Sequence, residues 1–397
     1  MGVVRVENLS RHSLILSVLM LVVGLASLDK YLVGFTINVL VATYGFAASD
    51  LSMMLSMFQI GFIVSTVGGG FLVDKYGYKR FMLAAFALLA GVSAVFGFVS
   101  SLPMLVFLRF LAGLGAAGFV VAVPKAISSV YTADEASRVQ AKATPACGIA
   151  GIVTALMGQA LLSGAISLQQ GYLLLAALFV FLVVCIQVVL PDARPKASAL
   201  SFKSLTAAYK NKSVILLSII YALFNLVTVA MLNWLPMTFS QFEGATPTII
   251  SATMFGFYIL ETLVLVSAGP LVNKHFWDAT NKLLVICAVG SAITLIAFSF
   301  SSNLVMGILT MYAATVFVIL ASGVIVLLPY RYVESEIMGS SFAAVNVGGR
   351  IGGIVSPFVA NLFVASSGVI NFSYAFMAYA LIVAMACIFI KLLPQAH

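Results

Sequence analysis

The chain has 397 residues, of which 62% are hydrophobic and 8% charged, with a formal charge of +8. A soluble globular domain is about 25% charged, so a water-soluble fold is excluded and a polytopic membrane protein is expected. The surplus of cations invites a nucleic-acid partner, but they sit at the ends of long apolar runs, as membrane topology requires, and that partner is excluded.

Residues 1–12 form a short tail with Arg5 and Arg11. No short apolar core with a small-residue cleavage site precedes the first run, so span 1 is expected to stay in the mature protein. Span 1 covers Ser13–Leu40 and is interrupted by Asp29, Lys30 and Tyr31. Span 2 covers Leu51–Val73, span 3 Phe81–Ser100 and span 4 Pro103–Val130; span 5 ends at Leu162 and span 6 at Leu190. Each is long enough to cross a bilayer as a helix. The polar stretch 191–213 is the longest break in the apolar pattern, dividing the chain into halves at 1–190 and 214–397. Six further spans follow, at 214–240, 248–272, 282–301, 304–328, 339–365 and 372–391.

Every Lys and Arg except Lys30, Arg109 and Arg350 falls in a terminus or an alternate loop. Those loops and both termini are therefore expected on the cytoplasmic side. Lys125 and Lys142, near the ends of spans 4 and 5, read as cations snorkelling to that surface. The four cysteines lie apart in apolar runs, and His12, His275 and His397 lie outside the spans, so neither a disulfide framework, a metal site nor a histidine relay is expected.

The densest polar block is Gly70-Phe71-Leu72-Val73-Asp74-Lys75-Tyr76-Gly77-Tyr78-Lys79-Arg80, between spans 2 and 3. An ordinary cationic loop accounts for Lys75, Lys79 and Arg80 but not for Asp74 or Gly77. The spacing resembles the signature loop of the major facilitator superfamily. Gly269-Pro270-Leu271-Val272-Asn273-Lys274 is a degenerate copy in the second half, and Val123-Pro124-Lys125 is echoed by Leu328-Pro329-Tyr330. The resemblance implies an all-α membrane fold of twelve helices in two six-helix bundles, a substrate site between them near the bilayer midplane, and a conformational gate at Asp74, Gly77, Lys79 and Arg80.

An ionisable side chain inside the hydrocarbon costs at least about 2.5–3.5 kcal/mol, so each is a functional candidate. There are five: Asp29, Lys30, Arg109, Glu261 and Arg350. At 1.5 Å per residue, Glu261 and Arg350 lie roughly 17 Å from the cytoplasmic ends of their spans, and Asp29 and Lys30 roughly 24 Å, with Arg109 at similar depth. Three cations against two acids favour an anionic ligand, and an acid that alternates between paired and protonated forms couples binding to a proton.

The run from Arg109 to Phe119, followed by Pro124-Lys125-Ala126-Ile127-Ser128, resembles the fourth helix of the anion:cation symporter branch, and Asp29-Lys30 takes the place of its Asp-Arg pair. Trp234-Leu235-Pro236 and Asn346-Val347-Gly348-Gly349-Arg350 resemble its seventh and eleventh helices. The resemblance implies Lys30 and Arg109 as a cationic clamp on substrate and Asp29 as the proton-responsive acid. Ala116 stands where the branch usually has a glutamate, leaving coupling to Asp29 or Glu261; Arg350 is closer to exchangers of the oxalate:formate kind. Symport and exchange both stay open.

Arg109 also suits a structural role, pairing with helix-end carbonyls or with Asp29, and Arg350 an ion pair with Glu261. Tyr31, Asn38, Gln59, Asn225, Asn233, Tyr258 and Asn346 offer hydrogen bonds to substrate or between helices. The expectation is a monomeric, proton-coupled carrier of a small organic anion in a bacterial inner membrane, with no cofactor. The alternatives are an anion exchanger and a drug:proton antiporter of the same fold. An integral membrane enzyme is disfavoured, because no nucleophile and base pair within the spans and the repeat has no catalytic explanation.

Overall fold

The computed structural model describes residues 9–131, 135, 139, 143, 146–192, 208–276, 279–332, 338–364 and 370–394. Lys142, most of the 191–213 stretch and both extreme termini lie outside the described residues. Among those described, the long elements are all helices: α1 Leu9–Tyr44, α2 Ala48–Tyr76, α3 Tyr78–Phe96, α4 Leu102–Ala116, α5 Gly118–Val130, α6 Ala146–Leu162 and α7 Leu168–Val189. They continue as α8 Lys212–Phe239, α9 Pro247–Leu271, α10 Thr280–Ser299, α11 Leu304–Leu327, α12 Met338–Asn361, α13 Phe372–Ala384 and α14 Ala386–Lys391. Eleven spans among the described residues are long and apolar enough to cross a membrane, and α6 is a shorter apolar helix.

Contacts gather residues Met1–Thr36 and Met57–Ala199 into one unit and Ile37–Ser56 and Leu200–His397 into a second. In the first, α2 crosses α4 with backbones almost touching. A Cβ at Gly61 would collide with the carbonyl oxygen of Phe110, and one at Gly113 with that of Phe58. Only glycine permits that approach, and in hydrocarbon, where apolar burial drives little, such contact holds helices together. Gly77 separates α2 from α3 at φ 88, a backbone that a residue with a Cβ adopts only under strain.

Span 4, expected as one helix, is divided at Ala117 into α4 and α5. The glycines around the break weaken the helix there, and Pro124 within α5 removes one further backbone donor. Aromatic contacts join α3 to α7, with Phe96 and Tyr172 stacked at 4.5 Å and Phe86 and Phe179 at 6.2 Å.

In the second unit, glycines of α12 lie against α8, and a Cβ at Gly352 would collide with the carbonyl oxygen of Ala222. Ser356 donates to Leu226 at 2.6 Å, and Tyr379 donates to Ser356 at 2.7 Å. The start of α2 belongs to this unit: Ser52 donates to the Pro357 carbonyl at 2.9 Å and Ser56 to that of Ile354 at 2.8 Å. The degenerate copy of the glycine-acid block ends differently from its parent. After Pro270 the chain enters a π-helical turn, Val272–Phe276, where the first half has α-helix and then the Gly77 turn.

Gly113→Ala is expected to lower the thermal unfolding midpoint in detergent, since overpacking costs about 1–3 kcal/mol. Gly68→Ala, where an added Cβ meets nothing within 4 Å, is expected to leave it in place. Identical melting of the two variants would contradict the close crossing of α2 and α4.

Candidate functional site

The first unit's charges divide into a sealed pair and a partly exposed neighbour. Asp29 of α1 and Arg109 of α4 are 2% and 1% exposed, and Arg109 Nη1 donates to Asp29 Oδ2 at 2.8 Å. The guanidinium also lies 4.5 Å from the ring centroid of Phe58 on α2, so three helices meet on one charge. Its Nε is buried without a hydrogen-bond partner. The Tyr172 hydroxyl, from α7, shares a hydrogen bond with Thr36 at 3.2 Å and feels the charges of both Asp29 and Arg109.

Consecutive helical residues point about 100° apart. Lys30, next to Asp29, accordingly leaves the sealed pair: it is partly exposed, with Nζ 5.1 Å from the ring centroid of Tyr31, which is itself buried. The structure thus joins two of the three charges expected to act together, and the third occupies the adjacent face of α1.

In the second unit, Arg350 of α12 is partly exposed, and Asn346 lies one turn earlier on the same face, donating from Nδ2 to the Phe342 carbonyl at 3.0 Å. Arg350 acts electrostatically on the hydroxyl of Tyr221 of α8. Glu261 of α9 acts likewise on the buried Tyr258, one turn before it. Asn225, 9% exposed, donates to the Gly349 carbonyl at 2.7 Å.

The glycine-acid block forms a separate polar cluster. Asp74 Oδ1 accepts from Lys125 Nζ of α5 at 2.5 Å, with both side chains more than four-fifths buried. Lys125, expected to snorkel, therefore spends its charge on the block's own acid. Gly77 makes the turn; Tyr78 donates to the Pro191 carbonyl at 2.7 Å and Lys79 to that of Gln187 at 2.8 Å, tying the start of α3 to the end of α7. Arg80 and Asp192 approach only to 3.9 Å with both side chains more than half exposed, a pair that contributes little. Nearby, Tyr131 donates to the His12 carbonyl at 2.8 Å; burial, and then the Glu135 carboxylate, raise the pKa of its hydroxyl.

Lys125, Tyr221, Phe58 and Tyr172 were not legible as partners of the charges. Only Lys125 had a signal, its place beside Pro124 at the same end of its span as Asp74. Among the described residues no three His, Cys, Asp or Glu side chains come together as metal ligands.

Long apolar helices that hold ionisable side chains within their spans define a multi-pass membrane protein. Residues 19–357 match the profile of the Major Facilitator Superfamily, and the chain belongs to that family. It is 25% identical over 387 residues to the putative niacin/nicotinamide transporter NiaP of Bacillus subtilis (strain 168), covering 92% of each chain. It is 24% identical to the 3-(3-hydroxy-phenyl)propionate transporter of Escherichia coli (strain K12), over 90% of this chain and 88% of that one. The crystal structure of a D-xylose-proton symporter has the same fold, with a TM-score of 0.83 at 15% identity over 96% of this chain and 98% of that one.

Removing one partner of a buried ion pair costs about 3–5 kcal/mol, whereas replacing both by apolar groups is often neutral. Asp29→Leu and Arg109→Met are each expected to lower the unfolding midpoint sharply, and the double variant to recover most of the loss. Additive losses would show that the two charges do not depend on each other.

Proposed function

We propose that the protein is a secondary transporter of a small organic anion, moving it by alternating access in symport with protons. The observation that carries this reading is the division of the intramembrane charges: Arg109 is sealed against Asp29, while the other two cations, Lys30 and Arg350, are partly exposed. A net positive site in a low-dielectric surrounding selects anions, and a guanidinium can take a carboxylate through two parallel hydrogen bonds. The relatives support the same class, two of them being named for transport of niacin/nicotinamide and of a hydroxyphenylpropionate.

Lys30 and Arg350 supply the attraction, with Tyr31 and Asn346 beside them. Asp29 and Arg109 supply the coupling. Protonating Asp29 removes the countercharge of a guanidinium that is 1% exposed, and a buried cation without one is costly. An incoming anion relieves that cost, so proton and anion bind better together than apart, and each raises the affinity for the other by the same factor. Glu261 is the second acid able to take part. Asp74, Gly77, Lys79 and Arg80, with Lys125, act as a conformational gate at the cytoplasmic surface. The protein works as a monomer in a bacterial inner membrane with both termini in the cytoplasm.

Exchange of one anion for another is the second reading, supported by Arg350, a cation where exchangers of the oxalate:formate kind resemble this chain. A drug:proton antiporter for cations would need acids in excess, and the balance here runs the other way.

In proteoliposomes with an inward proton gradient, uptake of labelled nicotinate is expected to fall at least about 10-fold in Lys30→Ala and Arg350→Ala, as loss of a charged hydrogen bond implies. Normal uptake by both would reject the anion reading. Asp29→Asn keeps an oxygen for Arg109 but cannot cycle a proton; it is expected to retain nicotinate exchange while losing gradient-driven accumulation. Accumulation unchanged in that variant would remove Asp29 from the coupling role.

A further inference from the structure

The seam between α8 and α12 places a tyrosine, which the charges alone do not call for, against the backbone that carries the second unit's cation. Gly348, Gly349 and Gly352 of α12 face α8, and a Cβ at Gly349 would occupy the position of the Tyr221 ring. Tyr221 thus lies directly on the backbone of the residue before Arg350, in space that only a glycine leaves. One turn along the same face of α8, Asn225 donates to the Gly349 carbonyl at 2.7 Å and is almost fully buried. The two contacts, a ring on the Cα and an amide on the carbonyl, fix the peptide from which Arg350 projects. Arg350 leaves the seam about 100° round the helix from Gly349. Both it and Tyr221 are partly exposed, whereas Asn225 is not.

We propose that Tyr221 is a specificity-determining residue, presenting its ring next to the Arg350 guanidinium so that the pair accepts an aryl carboxylate in preference to an aliphatic one, with Asn225 as a positioning residue behind it. This rests on the reading of Arg350 as an anion-binding cation. The carboxylate takes the planar guanidinium, and the substrate's ring meets the edge or face of Tyr221, an arrangement that adds to the burial of the two rings. Asn225 acts only through Gly349: its amide holds the carbonyl, and thereby the direction in which the arginine leaves the helix.

The experiment measures proton-driven uptake of labelled nicotinate by reconstituted full-length protein, competed by unlabelled benzoate and by butyrate, two monocarboxylates that differ in the ring. Wild type and Tyr221→Phe are expected to be inhibited at lower concentration by benzoate than by butyrate. Tyr221→Leu is expected to narrow that preference by about 5-fold, through a higher inhibitory concentration of benzoate, with the maximal rate of nicotinate uptake unchanged. Gly349→Ala, which pushes the ring away without altering it, is expected to narrow it in the same direction; if that variant does not fold, the Tyr221 pair decides alone. Asn225→Ala is expected to raise the inhibitory concentrations of benzoate and butyrate together, leaving their ratio in place, and Asn225→Asp, which keeps the side chain's length but not the donor, to do the same. An unchanged benzoate-to-butyrate ratio in Tyr221→Leu would overturn the assignment of Tyr221. Full nicotinate uptake by Arg350→Ala would instead overturn the anion-binding reading on which it rests, so the two failures are told apart.

Discussion

A guanidinium surrounded by hydrocarbon has to be answered from within the protein, and in the first unit that requirement organises everything near it. Arg109 draws a carboxylate from α1 and an aromatic face from α2, and the partners must come from different helices because no residue on α4 itself supplies them. The close crossing of α2 and α4 at Gly61 and Gly113 serves the same end: Phe58 can sit under the charge only if its helix runs almost against the arginine's own. A short polar bond and an unobstructed glycine contact are therefore two parts of one arrangement. Neither is strong by itself in a medium where apolar surface gains little from being covered by other apolar surface.

The second unit solves the problem of holding helices together differently. Between α8 and α12 the attraction comes from backbone proximity and from side-chain donors aimed at carbonyls, Asn225 to Gly349 and Ser356 to Leu226. Small residues on one helix let donors on the other reach main-chain oxygens that in water would be solvated. The seam is made of glycine and hydrogen-bonding groups, and Arg350, one residue beyond it, is partly exposed. The sealed charge in one unit and the partly exposed one in the other follow from these two ways of packing.

The helices and their number were legible because apolar length and the distribution of cations are properties of the sequence itself, needing no knowledge of what touches what. Asp29, Arg109 and Arg350 stood out for the same reason: a charge in an apolar run is visible in one dimension. Their partnerships were not. The Asp29–Arg109 pair was one of two roles that suited both residues, and choosing between them depends on whether α1 and α4 are neighbours. Lys125 read as a snorkelling side chain since its distance from a surface can be counted along the helix, whereas its distance from Asp74, 51 residues away, cannot. Tyr221 left no trace at all: a tyrosine among apolar residues is ordinary, and only the glycine opposite it gives its position meaning. The break at Ala117 was half visible in Gly115, Gly118 and Pro124, each of which many helices tolerate singly.

The Asp74–Lys125 contact shows why a short loop with paired cations also needs its acid. Without Asp74, Lys125 would have to extend its stem toward water to keep its charge solvated, and the end of α5 would be free to follow it. With Asp74 close by, the ammonium is held where more than four-fifths of its side chain is covered, and the end of α5 is fixed to the end of α2. Tyr78 and Lys79, at the start of α3 past the Gly77 turn, fix it to the end of α7, Lys79 through the Gln187 carbonyl that the helix terminus leaves unfilled and Tyr78 through the Pro191 carbonyl just beyond the helix. The block thus joins four helix ends by contacts that are each short and polar. Contacts of that kind break and re-form without rearranging a core, and the glycine at its centre, at φ 88, lets α2 stop and α3 begin within a single residue.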